Sequence, residues 1–116
     1  MDKPKILICD NEEAVLESLH NILARDYETI LTNSSEGALE KLKETKDIKV
    51  VLLDIKLGGI ETLKQIKNMR ADLPVIMVTD YQATETTAEA IKLGALDYII
   101  KPINAASVLG SIRKAL

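Results

Sequence analysis

The chain has 116 residues, of which 47% are hydrophobic and 28% charged, and its formal net charge is −3. This length and apolar content fit a single domain over residues 1–116, and the absence of a basic stretch argues against direct contact with nucleic acid. Because no apolar run approaches the roughly 20 residues of a membrane span and the first residues lack the layout of a signal peptide, we expect no membrane contact and a cytoplasmic location.

The first three predicted elements are a strand, a helix and a second strand. Lys5–Cys9 predicts a strand buried on both faces, because its apolar residues run on without alternation. Apolar residues then recur at helical spacing from about Glu12 to Arg25, which predicts a helix. The more polar segment Glu28–Thr32 predicts a strand at the edge of a sheet.

The middle of the chain repeats this alternation. Ser34 or Ser35 caps a second helix, and an unbroken apolar strand follows at Val50–Leu53. The third helix ends before Pro74, which cannot continue it. The apolar faces predicted for these two helices are Ala38, Leu39 and Leu42, and Leu63, Ile66 and Met69.

The last part of the chain contains two further strands and two helices. Val75–Val78 and Tyr98–Ile100 are unbroken apolar segments, which again predicts strands buried on both faces. Gly94 marks the C-terminus of the fourth helix, and Asn104 caps the fifth. The apolar faces predicted for these helices are Ala88, Ile91 and Ala95, and Val108, Leu109, Ile112 and Leu116.

This alternation of strand and helix predicts an α/β fold with a parallel sheet covered by helices on both faces. Right-handed crossovers leave few topologies. A flavodoxin-like (βα)5 doubly wound sandwich, with its five strands in the order 2-1-3-4-5, places the polar second strand at an edge. The last predicted helix runs up to Leu116, which leaves open that the domain is part of a longer protein.

The single cysteine and the single histidine are predicted to have no chemical role. One thiol forms no internal disulfide, and Cys9 lies in an apolar run, which is typical of a small buried hydrophobic residue. His20 lies on a predicted helix beside Glu17 and Asn21, so we expect it to be solvated.

Polar and charged side chains follow four of the predicted strands. Each alone is as often a solvated loop residue, but the carboxyl ends of parallel strands meet at one edge of the sheet, where ligands of such folds bind. We therefore expect these side chains to lie together. They are Asp10-Asn11-Glu12 after the first strand, Asp54 after the third, Thr79-Asp80 after the fourth and Lys101-Pro102 after the fifth.

The chemistry of this cluster favours phosphoryl transfer. Carboxylates brought close together repel each other, and Mg²⁺, which prefers oxygen ligands, removes that conflict. A lysine such as Lys101 pairs with phosphate oxygens, and an aspartate can form an aspartyl phosphate. Asp54 is the candidate acceptor because it follows the most apolar strand, which is expected to be central.

Four segments in this order resemble the response-regulator receiver family, and the resemblance covers essentially the whole chain. They are ILICDNEE, VVLLDIKLGGIETLKQI, PVIMVTD and ALDYIIKP. The resemblance implies a receiver domain of a two-component system that takes its phosphoryl group from a sensor histidine kinase. It further implies that phosphorylation switches the surface of the fourth helix, fifth strand and fifth helix, which would control an output domain, a partner protein or a homodimer.

The resemblance also implies the acceptor and the metal ligands. Asp54 would be the phosphoacceptor. Mg²⁺ would be held by Asp10, Asp54 and the backbone carbonyl of Lys56, with Asn11 as a further candidate. The domain would catalyse only its own phosphorylation and dephosphorylation, and would not be an enzyme that acts on other substrates.

Three further residues would take part in the switch. Thr79 would hydrogen-bond the phosphoryl group and Lys101 would pair with it. Tyr98 would change rotamer when Thr79 moves. The Lys101–Pro102 peptide bond is expected to be cis, as in the family.

Several residues depart from the pattern of the family. Asn11 stands where a second acid is usual, so we expect weaker metal binding, and Glu12 compensates only if the loop allows it. Gly58 replaces a usual proline and Thr62 a common glycine, so we expect the loop after Asp54 to move more or to follow another path. Further residues that could alter the site or phosphoryl hydrolysis are Asp80, Lys56 and Tyr81.

Two alternatives compete with this interpretation. Asn11 and Asp80 are compatible with a degenerate receiver that acts only as a binding module and is not phosphorylated. A small hydrolase or phosphatase on a related fold would need a general base beside the acceptor, and Asp80 is the least poor choice for that role.

The segment ETTAEAIKLGALDYIIKP is similar to receivers of sigma-54-dependent transcription activators, which would place an ATPase and a DNA-binding module downstream.

Overall fold

The computed structural model describes residues 3–80 and 84–116, except for the side chains of Thr84 and Glu85. Its strands are β1 (Lys5–Cys9), β2 (Glu28–Thr32), β3 (Ile48–Asp54), β4 (Val75–Thr79) and β5 (Asp97–Ile100). Its helices are α1 (Glu13–Leu23), α2 (Ser35–Glu44), α3 (Gly59–Met69), α4 (Thr84–Lys92) and α5 (Ala105–Ala115).

The strands form one parallel sheet in the order β2-β1-β3-β4-β5, which confirms the predicted flavodoxin-like topology. β2 lies at one edge, as its polarity predicted, and β3 lies at the centre. β3 and β4 each extend beyond the predicted strand to include Asp54 and Thr79. Both side chains therefore stand at the carboxyl edge of the sheet.

The sheet divides the core into two apolar layers. Successive residues of a strand point to opposite faces, so Val51 and Leu53 of β3 pack in the layer with α2 and α3, and Val50 and Leu52 in the layer with α1 and α5. All four side chains are fully buried. Each such side chain contributes about 1.5–3 kcal/mol to the stability of the fold, which makes the central strand a rigid support for Asp54 at its carboxyl end.

Three helix termini carry the residues that the sequence predicted there, two at the start of a helix and one after its end. Ser34 caps α2 by accepting a hydrogen bond from the N–H of Gly37, and Asn104 caps α5 by accepting one from the N–H of Ser107. Gly94, just after α4, has a φ of 108°, a conformation that favours glycine.

The prediction that β5 is buried on both faces is wrong. In this strand only Ile99 is buried, whereas Tyr98 and Ile100 are exposed. β5 forms the second edge of the sheet, and the helices cover an edge strand less completely than a central one.

The apolar face predicted for α4 is also wrong. Thr87 and Ala90 are the buried residues, while Ala88 and Ile91 are exposed; Ala95, after the helix, is buried as predicted. The helix therefore contacts the core through small side chains, and the larger isoleucine lies on its outer face. Two predicted core residues at the ends of their helices, Met69 and Leu116, are exposed as well.

Cys9 and His20 take the predicted environments. Cys9 is buried, and burial together with the neighbouring charge of Asp10 raises the pKa of its thiol. His20 is exposed, with Nδ1 2.6 Å from the hydroxyl of Thr29.

Within residues 3–80 and 84–116, none of the helices combines the length and apolar character that crossing a membrane requires.

Candidate functional site

Four of the charged side chains that the sequence places after the strands meet at the carboxyl edge of the sheet. Lys101, just after β5, places its Nζ 3.3 Å from Oδ2 of Asp10 and 3.7 Å from Oδ2 of Asp54. The same Nζ lies 3.2 Å from Oε1 of Glu12. One ammonium group therefore faces three carboxylates that come from two different strand ends.

The two aspartates are buried, and each is only half satisfied. Both are 1% exposed. Oδ1 of Asp10 accepts a hydrogen bond from the N–H of Glu12 at 2.8 Å, and Oδ1 of Asp54 accepts one from the N–H of Lys56 at 3.1 Å. Neither Oδ2 atom accepts a hydrogen bond within the described residues. These two oxygens lie at ion-pair distance from Lys101 and are available to a ligand.

Burial and neighbouring charges shift the pKa values of Asp10 and Lys101. Burial raises the pKa of Asp10, and the charge of Asp54 adds to that effect, against the hydrogen bond from Glu12 and the charge of Lys101. Burial opposes the charge of Lys101, but the nearby carboxylates of Asp10 and Asp54 outweigh it and raise the pKa of the ammonium. The site thus holds a firmly protonated lysine beside carboxylates that repel each other.

These residues fit a divalent cation of the magnesium type. Within the described part of the chain, no group of three or more His, Cys, Asp or Glu side chains is arranged to hold a metal. Mg²⁺, however, keeps several waters and is commonly bound through only one or two carboxylates. Asp10 and Asp54 are two buried carboxylates at this edge, and Oδ2 of Asp10 accepts no hydrogen bond within the described residues. Glu12 is turned to Lys101, and Asn11 is exposed.

Thr79 lies at the same edge, and its hydroxyl is hydrogen-bonded to the backbone. It is buried, and its hydroxyl donates a hydrogen bond to the backbone carbonyl of Asp80 at 3.1 Å. Its own carbonyl accepts from the N–H of Lys101 at 2.7 Å, and the Lys101–Pro102 peptide bond is cis. Thr79 and Lys101 are therefore linked through the backbone.

An exposed ion pair lies at the rim of the site. Nζ of Lys56 is 3.5 Å from Oδ2 of Asp80, which joins the loop after β3 to the end of β4. Tyr81, also predicted to affect the site, lies outside the described residues. Tyr98 is 43% exposed, so its ring is on the surface of β5 and not in the core.

The loop after Asp54 follows a path that explains two of the unusual residues. Gly58 has a φ of 72°, which a proline, fixed near −65°, cannot adopt. A Cβ atom at Gly58 would collide with the hydroxyl of Thr62. That hydroxyl donates to the carbonyl of Leu57 at 2.8 Å. The loop after Asp54 thus contains a left-handed turn at Gly58, beside which the hydroxyl of Thr62 hydrogen-bonds to the backbone.

Two of these interactions were not predicted from the sequence. The pairing of Glu12 with Lys101 is the first, although the position of Glu12 two residues after Asp10 was a signal that it lies near the cluster. The hydrogen bond of Thr62 is the second, and it left no signal in the sequence because it depends on the backbone angles at Gly58.

The sequence matches proteins of one family. Residues 6–113 match the model of the response regulator receiver domain. The transcriptional regulatory protein ZraR of Escherichia coli (strain K12) is 37% identical over 119 residues, which cover 99% of this chain and 27% of ZraR. The regulatory protein AtoC of the same strain is 34% identical over 116 residues, which cover 97% of this chain and 25% of AtoC. The chain spans about a quarter of the length of these relatives.

Solved structures show the same likeness. The receiver domain of NtrX from Brucella abortus superposes with a TM-score of 0.91 at 31% identity, covering 96% of this chain and 97% of that one. A CheY-like response regulator receiver domain protein from Methanospirillum hungatei JF-1 superposes with a TM-score of 0.88 at 32% identity, covering 97% and 93%.

Proposed function

The chain belongs to the family of response regulator receiver domains, and from that premise we propose that Asp54 accepts a phosphoryl group from a sensor histidine kinase in the cytoplasm. One observation carries the proposal: the buried Oδ2 atoms of Asp10 and Asp54 accept no hydrogen bond within the described residues, and both lie beside Lys101. Buried carboxylates without full partners are destabilising. The missing partners of these carboxylates are explained if this edge binds a ligand that brings positive charge and phosphoryl oxygens.

In the proposed reaction Asp54 is the nucleophile. Its Oδ1 is held by the N–H of Lys56, which leaves Oδ2 free to attack phosphorus. The O–P bond forms while the bond from phosphorus to the imidazole nitrogen of the donor breaks, and that nitrogen keeps the bonding electron pair. Lys101 neutralises charge on the phosphoryl oxygens. The domain catalyses this step, and the later hydrolysis, only on itself.

Mg²⁺ is the proposed cofactor. Asp10, Asp54 and the backbone carbonyl of Lys56 would hold it, and the amide oxygen of Asn11 is a further candidate ligand. When bound, the cation neutralises negative charge on the carboxylates and on the transferred group. Because Asn11 brings no charge, we expect a lower affinity than a site with three carboxylates would have.

Thr79 and Tyr98 are the proposed switch. The Thr79 hydroxyl is bonded to the adjacent carbonyl of Asp80, an interaction it can exchange for a phosphoryl oxygen on Asp54. Met77 and Tyr98 are partners across β4 and β5, so a shift at the end of β4 reaches the strand that carries the tyrosine. We propose that the exposed ring of Tyr98 then turns inward.

The proposed output is the surface formed by α4, β5 and α5. The relatives ZraR and AtoC are regulatory proteins of which this chain spans about a quarter, which supports control of an output domain. A separate partner protein or a second copy of this chain would use the same surface. A nearly complete switch requires that phosphorylation favour the active state by about 5.5 kcal/mol, and a smaller bias gives a graded response.

The test is the mass of the intact protein after incubation with a small phosphodonor, with and without Mg²⁺. We expect one phosphoryl adduct on the wild type that depends on Mg²⁺ and is absent from Asp54→Asn. Asp97→Asn removes a carboxylate at the amino ends of the strands, opposite to the carboxyl ends where Asp54 lies. It is the matched control and should form the adduct.

Two outcomes would contradict the proposal. An adduct that persists in Asp54→Asn would place the acceptor elsewhere. No adduct at any Mg²⁺ concentration would favour the degenerate binding module, in which Asn11 and the Lys56–Asp80 ion pair leave the site inactive.

A further inference from the structure

Thr62 connects the loop after Asp54 with the first turns of α2 and α3. It lies in the first turn of α3 and is fully buried, and its hydroxyl donates to the carbonyl of Leu57 at 2.8 Å. The hydroxyl of Ser35, the first residue of α2, lies 2.7 Å from the same oxygen. A hydroxyl has one hydrogen to donate, so with Thr62 donating to Leu57, Ser35 donates to Thr62.

The carbonyl of Leu57 belongs to the turn that carries the proposed metal-binding carbonyl. The carbonyl of Lys56 and the N–H of Leu57 share one planar peptide unit, and that N–H donates to the carbonyl of Asp54 at 3.0 Å. The preceding unit is held by the N–H of Lys56, which donates to Oδ1 of Asp54. The next unit is held by the hydroxyl of Thr62. Three consecutive peptide units after Asp54 thus have fixed orientations.

Gly58 and Thr62 form a matched pair in this turn. The positive φ of Gly58 turns the chain into α3, and the missing Cβ leaves the space that the Thr62 hydroxyl occupies. Glycine is the most flexible residue, so the turn has no intrinsic stiffness at this point. The hydroxyl of Thr62 supplies a constraint that the backbone at Gly58 does not.

We propose that Thr62 is a positioning residue for the metal site: by holding the carbonyl of Leu57, it fixes the adjoining carbonyl of Lys56 in the orientation that binds Mg²⁺. The proposal deepens the proposed function and rests on it for the metal site at Asp10 and Asp54. Thr62 touches neither the metal nor the phosphoryl group in this role. Groups that orient a metal ligand in this way affect metal affinity by about 10–100-fold.

Calorimetric titration of the unphosphorylated protein with MgCl2 tests the proposal. We expect Thr62→Val, which keeps the shape and removes the hydroxyl, to weaken Mg²⁺ binding by about 10-fold. Thr62→Ser, which keeps the hydroxyl, should restore the wild-type affinity. Without metal, the amide hydrogen of Leu57 should exchange faster in Thr62→Val than in the wild type, since the turn has lost one of its constraints.

Ser111→Ala is the control for loss of a buried hydroxyl, because Ser111 donates to Asp97 at the opposite edge of the sheet. It should lower stability and leave Mg²⁺ affinity unchanged. If Thr62→Val does not fold, Ser35→Ala removes the outer link of the same chain of hydrogen bonds and should weaken Mg²⁺ binding by a smaller factor.

Equal Mg²⁺ affinity in the wild type and in Thr62→Val would overturn the proposal, and so would a wild type that binds no Mg²⁺. The proposed function fails in a different measurement, the absence of a phosphoryl adduct on the wild type. A wild type that binds Mg²⁺ in a Thr62-dependent manner but forms no adduct would retain the positioning role and refute phosphorylation.

Discussion

Asp97 is the first residue of β5 and lies where the strands begin, which we call the amino edge of the sheet. Both of its carboxylate oxygens have partners. Oδ1 accepts from the N–H of Tyr98 at 2.8 Å. Oδ2 accepts from the hydroxyl of Ser111 at 2.9 Å and lies 3.5 Å from Nζ of Lys114. Burial opposes the charge of Asp97, but these partners outweigh it and lower the pKa of the carboxyl.

Asp10 and Asp54, at the carboxyl edge, are also aspartates, but their carboxylate oxygens are not all paired. Each is more deeply buried than Asp97, shares Lys101 with the other and has one oxygen that accepts no hydrogen bond within the described residues. Burial and the charge of Asp54 raise the pKa of Asp10.

This difference in pairing indicates that Asp97 has a structural role, whereas Asp10 and Asp54 are placed to bind a ligand. A fully paired carboxylate stabilises the folded state. A buried carboxylate with only one oxygen paired destabilises it, and such a group is retained where function requires it. Substitutions of the aspartates at the two edges should therefore change stability with opposite signs.

The largest effect is expected for Lys101→Met. The change removes the ammonium from between two buried carboxylates, and breaking a buried ion pair in this way costs about 3 kcal/mol. Urea unfolding without divalent cations measures the loss. Lys114→Met removes the exposed lysine of the amino edge and should cost less than about 0.5 kcal/mol. Losses of equal size would mean that the two edges do not differ.

Asp97→Asn should lower the free energy of unfolding by about 1.5 kcal/mol at pH 7, because the charged form of Asp97 accepts three favourable interactions. The folded pKa is below the unfolded value of about 3.9, so this contribution is complete above that value and is lost as the pH falls through the folded pKa. The difference between wild type and variant should be constant from neutral pH down to about pH 5 and shrink below about pH 4. A difference that grew on acidification would contradict the assignment.

Asp54→Asn should have the opposite sign. It removes one of two buried charges that repel each other and leaves Lys101 paired with Asp10, so we expect the free energy of unfolding to rise by about 1 kcal/mol in the absence of divalent cations. Thermal unfolding in EDTA measures the change. Addition of Mg²⁺ should stabilise the wild type more than the variant, and a destabilised variant would show that Asp54 is a structural carboxylate like Asp97.

Much of this architecture was predictable from the sequence, because apolar periodicity reports burial directly. The ends of buried strands then placed Asp10, Asp54 and Lys101 at one edge, and the structure brings them together. The face of α4 was not predictable: apolar residues occur at positions 88, 90 and 91, and only packing against the finished sheet selects Ala90 over Ile91.

The interactions that refine the site were not predictable from the sequence pattern either. Whether Glu12 reaches Lys101 depends on the path of the loop after β1. Whether Thr62 bonds to Leu57 depends on a left-handed turn at Gly58 that pattern alone does not specify. Side chains of this kind depend on backbone angles at single residues, whereas strands and helices depend on the average pattern of many.

Ser111→Ala is expected to have a smaller effect than either aspartate substitution, and it tests one interaction of Asp97 at a time. Ser111 is buried and supplies one of the three partners of Asp97, so its loss should lower the free energy of unfolding by about 0.7 kcal/mol at pH 7. The pKa of Asp97, followed by NMR titration, should move up towards its ordinary value. In the Asp97→Asn background the same substitution should cost less, because the serine no longer meets a charge. Equal costs in the two backgrounds would mean that Ser111 stabilises α5 by packing alone, and that the amino edge is held by Tyr98 and Lys114 without it.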